Sequence, residues 1–362
     1  MLSCLIFAAW GAVYVKKSGI LEPYPEPVYL TDAEEAQRPL YRILTDKEKA
    51  VYTALYRGIC AHESEIDLPY DVDGEVYAKL YCMIEKQESA LFYIDSTYYT
   101  AEKLRMAKIV YREGSDTDYS LMESELESAA AKILSDMPAD VDDFEKALYI
   151  HDYIVENCRY RIDGGAGYDA TAYGCLTGGS AHCEGYAKAF GYLAQKAGLS
   201  SVVVTGVTDN GENHAWNQVE IDGVWYNCDV TWDDTDAADD KRHIYFLCND
   251  ETFSQTHVAE TNYFEPFDCT GDENGYFTRN DLVISTGEDA ERILKRELAS
   301  GEIAVELKFD SRNSYDEFKK EYLEGERIFE IMMEAGSPIL GNSVTVSLRE
   351  NEKELCMIIC LA

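Results

Sequence analysis

Positive charge is scarce in this chain: Lys and Arg total 32 against 68 Asp and Glu, for a net charge of -36. A surface of that sign repels nucleic-acid phosphates and anionic lipid head groups, which excludes nucleic acid as a partner. It suits a soluble monomer and is compatible with a basic partner or substrate, although a solvated acidic surface explains it equally well. No CxxC pair or other metal-ligand spacing occurs among the eleven cysteines. There is also no phosphate-binding loop or other cofactor motif, and no internal repeat. The apolar run Met1–Val15 stops at Lys16 and Lys17, short of the roughly 20 residues that cross a bilayer. No basic residues precede it, so it makes a poor signal peptide. Two readings of it compete. One is the remnant of an anchor or leader with Trp10 and Tyr14 at the interface, giving membrane association through residues 1–15 and a membrane-anchored or extracytoplasmic site. The other is a helix packed on the body of a cytoplasmic protein.

What is present is enough for a large fold. The chain has 362 residues, 46% of them hydrophobic, which supports two or three domains with a sizeable core. Cysteine is plentiful and odd in number. Cys356 and Cys360, if on one strand, stand roughly 13 Å apart, too far for a disulfide. Buried free thiols in a reducing or anaerobic setting are therefore expected.

One stretch, Gly178 to Asp234, offers a thiol, an imidazole and a carboxylate in order. Tyr186, Ala187, Phe190, Leu193, Ala194 and Ala197 recur at helical spacing, with Gly198 as the stop. Cys183 then falls in the first turn, where free N–H groups and the helix dipole favour a thiolate and can receive an oxyanion. Ser201–Thr208, Ala215–Ile221 and Val224–Val230 read as strands, with turns at Asp209-Asn210-Gly211 and Asp222-Gly223. His214 opens one hairpin arm, and the antiparallel return brings Asp229 back beside it, as an acceptor that orients the imidazole must be. Taken singly, each has an ordinary explanation, since a lone cysteine on an apolar helix is usually a small hydrophobe. The three together on a helix and a hairpin reverse those odds.

The words around these residues, CEGYAKAF, NHAW and DGVWYNCDVTWDD, resemble the bacterial transglutaminase-like superfamily. ALYIHDYIVENCRY (147–160) resembles the helix that enters that core, and HIYFLCND (243–250) the strand and loop that follow it. The resemblance implies an α+β fold with a papain-like core: a helix bearing the Cys, packed on an antiparallel sheet bearing His and Asp. It places the catalytic thiol, imidazole and carboxylate on Cys183, His214 and Asp229. Related thiol enzymes often use a Gln or an aromatic donor at the oxyanion site. No Gln lies between Asp169 and His182, which leaves Tyr173, Ser180 and Asn213 as candidates. Trp216 and Trp232 are candidates for the cleft wall.

Around this core, residues 1–44 read as the apolar segment plus a linker, since Leu21–Pro39 carries four prolines and many acids. Residues 45–136 read as an accessory helical region: a helix opened by Thr45, a second over Val72–Glu88, strands at Ala90–Tyr99 and Lys108–Arg112, and a helix over Tyr119–Asp136. The core spans 137–280 and starts with the helix Asp143–Asn157. The acidic run DTDAADD (234–240) is a solvated loop without EF-hand spacing, and Asn274-Gly275 reads as a hairpin turn. Residues 281–362 read as a small, separable α/β module with strands at Leu282–Ser285, Ile303–Phe309, Ser343–Arg349 and Glu354–Leu361. Its helices are Glu288–Ala299 and a long Ser314–Glu334. The expected activity is acyl transfer on protein or peptide amides through a thioester, with no cofactor or metal required. Hydrolysis is favoured over crosslinking to an amine acceptor, and a non-catalytic cell-envelope binding role is the third reading.

Overall fold

A computed structural model describes residues 23–114, 117–161, 167–234, 242–301, 303–335 and 345–361. The apolar run 1–15 and most of the acidic loop, residues 235–240, lie outside these.

The region before the core opens with helices α1 (Asp32–Ala36), α2 (Pro39–Arg42) and α3 (Asp46–Cys60). Thr45 caps α3 through a reciprocal capping box with Glu48. The proline-rich stretch is more than a linker: Leu30 and Leu40 are buried, and Arg38 grips Glu88 through two nitrogens at 2.7 and 2.9 Å. Nor is the accessory region purely helical. Strand β1 (Glu65–Asp73) precedes α4 (Gly74–Gln87) and pairs antiparallel with β2 (Lys103–Lys108). Ala90–Tyr99, expected as a strand, is a run of turns with a single bridge at Ile94↔Tyr111. Its aromatic content serves packing instead: the Tyr93 ring stacks on Tyr111 and Tyr119. The strand expected at Lys108–Arg112 lies earlier, in β2.

Helices α5 (Ser120–Ser135) and α6 (Asp143–Asn157) follow, the latter capped by Asp142. Strand β3 (Arg159–Tyr160) pairs in parallel with β4 (Ser180–Ala181), with α7 (Ala172–Gly178) between them. Next comes α8 (Cys183–Lys196), whose buried face carries Tyr186, Ala187, Phe190, Leu193 and Ala194. It lies against an antiparallel sheet of order β7-β6-β5-β8: Val224–Cys228, Asn213–Ile221, Ser201–Thr208 and His257–Ala259. The β6–β7 turn is Asp222-Gly223, with φ of 52° and 79°. β7 ends at Cys228 rather than Val230, because Asp229 leaves the strand to cap a one-turn helix, α9 (Val230–Asp233). The strand expected within 243–250 is absent. That segment is turns with one bridge, Asn227↔Cys248, followed by α10 (Asp250–Phe253). Asn274-Gly275 opens the short helix α11 (Tyr276–Arg279) instead of turning a hairpin.

The C-terminal part is a four-stranded sheet of order β11-β12-β10-β9: Val346–Asn351, Cys356–Leu361, Ala304–Phe309 and Val283–Ile284. Helix α12 (Gly287–Ser300) packs on it. The long helix expected next is broken into α13 (Arg312–Phe318), a π-turn segment (Lys319–Glu324) and α14 (Arg327–Ala335). Glu326, at φ 59°, interrupts it in a conformation a helix cannot continue through. One contiguous apolar cluster includes Leu30, Phe190, Phe277, Ile284 and Leu361, so the C-terminal part shares its core with the rest. Among the described residues no cysteine is disulfide-bonded.

Candidate active site

Cys183 begins α8 with its side chain half-buried against Ala187, Val203 and Ala215. The close approach that seats this helix needs Gly185, where a Cβ would overlap the Asp169 carbonyl and the Ala181 methyl. One turn of buried ion pairs pins the same helix to α4: Glu184 accepts from Lys86 at 2.7 Å and Lys188 at 2.8 Å, and Lys188 also reaches Glu85 at 2.7 Å.

His214 stands near the start of β6, and its Nε2 lies 2.6 Å from Asp229 Oδ2. Cys183 lies near enough for both His214 and His182 to act on its thiol. Asp229 is buried and fully engaged. Oδ1 accepts the N–H groups of Thr231 (3.0 Å) and Trp232 (3.2 Å), while Oδ2 also receives His257 Nε2 at 3.0 Å. Its own N–H donates to the Tyr245 carbonyl. The reason a carboxylate lands here is local: after β7 the chain must start α9, and Asp is a strong N-cap residue.

The electrostatics follow from these contacts. Burial pushes the Cys183 thiol up, but hydrogen bonds and charge from His182 and His214 outweigh it and bring the pKa down to about 7. Burial opposes the His214 imidazolium, yet Asp229 raises it to about 10. Burial likewise resists the Asp229 charge, and His214 and His257 hold it well below the usual carboxylate range. Cys183 and His214 thus favour each other's charged forms, the arrangement that activates a thiol.

Of the residues expected at the site, Cys183, His214 and Asp229 come together. Trp216 is buried with its ring 6.3 Å from that of His214, and the ring of the half-buried Trp232 lies 5.6 Å from it, so both tryptophans neighbour the imidazole. Asn213 is exposed beside His214, and Ser180 sits in β4 opposite Arg159. Tyr173 is engaged by other partners. Its hydroxyl donates to Glu125 at 2.6 Å and its ring stacks on Phe92.

Three residues at the site escaped the sequence reading. His182 precedes Cys183 directly, and its imidazole pKa is raised by its bond to that thiol. Tyr160 on β3 lies near Cys183: burial raises the pKa of its hydroxyl and the Cys183 charge adds to the rise. His257 reaches Asp229 from β8, an element with no distinguishing signal in the chain. His182 was the discoverable one, since a second imidazole beside a nucleophile candidate stands in plain view in AHCEGY.

Residues 130–230 match the family model described as the Transglutaminase-like superfamily. The Kyphoscoliosis peptidase of Mus musculus is 25% identical over 170 residues, covering 41% of this chain and 26% of that protein. The Homo sapiens Kyphoscoliosis peptidase is 26% identical over 160 residues, covering 38% and 24%. The chain thus spans about a quarter of the length of these curated relatives. Among solved structures, a protein described as a cysteine protease from Cytophaga hutchinsonii overlaps 40% of this chain and 47% of its own, at 17% identity and a TM-score of 0.28. A TGase overlaps 31% and 30%, at 20% identity and a TM-score of 0.25.

Proposed function

From a chain that carries a transglutaminase-like core at residues 130–230, we propose a cysteine-dependent acyl-transfer enzyme that cleaves protein or peptide amides, with water as final acceptor. The observation that carries this reading is the buried His214–Asp229 pair, with Nε2 2.6 Å from Oδ2, beside a Cys183 thiol whose pKa His182 and His214 hold down to about 7 against its burial. In this reading the Cys183 thiolate adds to the amide carbonyl carbon. The oxyanion is received by the Cys183 N–H and the Tyr160 hydroxyl. As the C–N bond breaks, the His214 imidazolium gives its proton to the leaving amine, leaving a thioester on Cys183. Water then attacks the thioester with its proton going to His214, and the carboxylate leaves as the thiol is restored. Asp229 holds the tautomer and stabilises the imidazolium throughout. The names of the curated relatives, both peptidases, lean toward hydrolysis. Product analysis by mass spectrometry, with and without a primary amine, tests the acceptor: free carboxylate in both supports hydrolysis, and quantitative amide formation with the amine overturns it.

The pKa pattern makes a separate prediction. Alkylation of Cys183 by iodoacetamide should reach half its plateau near pH 7, well below a free cysteine at about 8.5. The sign follows from the lowered pKa: the thiolate is present above pH 7 and is lost as pH falls through it. The other thiols should lag. Burial pushes Cys60 up to about 11, Cys356 up to about 12, and Cys175 and Cys228 well above the usual range. Peptide mapping after brief labelling at pH 7 should find the adduct on Cys183. An adduct first on Cys60 or Cys158 removes the nucleophile assignment.

A further inference from the structure

Beneath the candidate site lies a second constellation that the proposed chemistry does not use. His151 Nδ1 and His243 Nε2 both point at Asp152 Oδ1, at 3.0 and 2.9 Å. These three atoms lie within 4.8 Å of one another. Each imidazole has its other nitrogen held by a further carboxylate. His151 Nε2 meets Asp233 Oδ2 at 3.2 Å, and His243 Nδ1 meets Glu306 Oε1 at 2.7 Å. Those outer carboxylates are themselves fixed. Asp233 accepts the Tyr245 N–H with both oxygens at 3.1 Å, and Glu306 Oε2 accepts the His243 N–H at 2.9 Å. The Tyr276 ring stacks on His243 at 3.8 Å. His151 and Asp233 are fully buried, His243 nearly so, and Asp152 keeps 24% of its side chain exposed.

We propose that His151 Nδ1, His243 Nε2 and Asp152 Oδ1 form a binding site for one divalent transition-metal ion, with Zn²⁺ the best match. Convergent imidazoles whose far nitrogens donate to anchored carboxylates are the arrangement that metal-ligating histidines show. Two imidazoles and one carboxylate favour Zn²⁺ and its neighbours over Ca²⁺ or Mg²⁺, which prefer oxygen alone. Ligand atoms stand about 2.0–2.2 Å from Zn²⁺ and so about 3.3 Å from each other. The two nitrogen–oxygen separations, 3.0 and 2.9 Å, are a few tenths of an ångström short of that value, and all three ligand atoms lie within 4.8 Å of one another. The two imidazole rings stand 5.2 Å apart, and a divalent ion between their convergent nitrogens would join them. It would tie α6 to the 242–246 loop, whose Tyr245 carbonyl receives the Asp229 N–H, and through Glu306 to β10.

The test uses the full chain carrying Cys183→Ala, which removes the candidate nucleophile as a competing ligand and makes the outcome independent of the proposed activity. The protein is stripped with EDTA and titrated with ZnCl₂ by calorimetry, with thermal melts alongside. One equivalent should bind at micromolar or lower concentration and raise the melting temperature. Affinity should strengthen between pH 6 and pH 8, because the metal displaces protons. Asp152→Asn and His243→Gln should abolish that equivalent, and Glu306→Gln should weaken it about 10- to 100-fold. If His243→Gln does not fold, the partly exposed Asp152→Asn still decides. Absence of saturable Zn²⁺ binding, or binding unchanged by Asp152→Asn, overturns the site and leaves a protonated ion-pair network.

Discussion

An Asp229→Asn enzyme is expected to lose up to about 10⁴-fold in amide turnover, by analogy with serine triads, and to alkylate Cys183 more slowly near pH 6–7. Asn keeps the side-chain oxygen that caps α9 through Thr231 and Trp232, so the helix start survives. What disappears is the charge that raises the His214 imidazolium to about 10. With a lower imidazolium pKa the thiolate loses its partner, the Cys183 pKa climbs back from about 7, and the alkylation profile moves to higher pH. His257 faces the same Oδ2 and loses its acceptor too, so the loss exceeds that of a single hydrogen bond. The choice of control matters. The neighbouring acids Asp233 and Asp234 follow Trp232 closely, but the fold makes them unsuitable. Asp233 is fully buried between His151 and the Tyr245 N–H, with burial pushing its pKa up to about 6, and Asp234 accepts the Tyr186 hydroxyl at 2.5 Å. Asp233→Asn should therefore lower stability rather than leave it unchanged. Asp209 is the better control, being exposed and paired with Lys353 at the surface, a contact worth about 0–1 kcal/mol. Turnover, pH-dependent alkylation and circular dichroism on Asp229→Asn and Asp209→Asn decide. A folded Asp229→Asn enzyme with unchanged rates would show that another carboxylate orients His214.

Removing the C-terminal part should cost the fold, not merely a neighbour. A chain ending at Asn280 is expected to be insoluble, or to lack a cooperative melt. Sequence alone favours the opposite outcome, because strands and helices after Leu282 look self-sufficient. In the structure Phe277 and Ile284 belong to one apolar cluster, and Lys308 lies over the Phe277 ring. Glu306 on β10 also grips both the ring and the backbone N–H of His243. The point substitution Glu306→Ala leaves His243 in a buried site without its main counter-charge. Breaking such a pair costs about 3–5 kcal/mol, a large part of the roughly 5–15 kcal/mol that holds a domain folded. Denaturant melts of Glu306→Ala, and size-exclusion profiles of the shortened chain, measure both. A shortened chain that melts cooperatively and keeps Cys183 reactivity would restore the separable module.

The chain by itself determined the elements whose cause is local. The helix starting at Cys183 follows from apolar spacing and a Gly stop. The β6–β7 hairpin follows from Asp222-Gly223, and α3 and α6 follow from acidic first turns and their caps. Those local rules were enough to bring imidazole and carboxylate side by side, because a two-residue turn dictates which residues return together, while the thiol reaches them only through the packing of α8 on the sheet. What only the tertiary structure decided was set by partners distant in sequence. Ala90–Tyr99 carries strand-like aromatics that a cluster with Tyr111 and Tyr119 holds in turns instead. His257 reaches Asp229 across 28 positions, and Glu306 reaches His243 across 63. Asp233 reads as a loop acid and is a buried acceptor, because His151, 82 residues earlier, packs against it. A side chain's charge, burial and role depend on what the fold brings to it, and the spacing along one strand or helix does not contain that information.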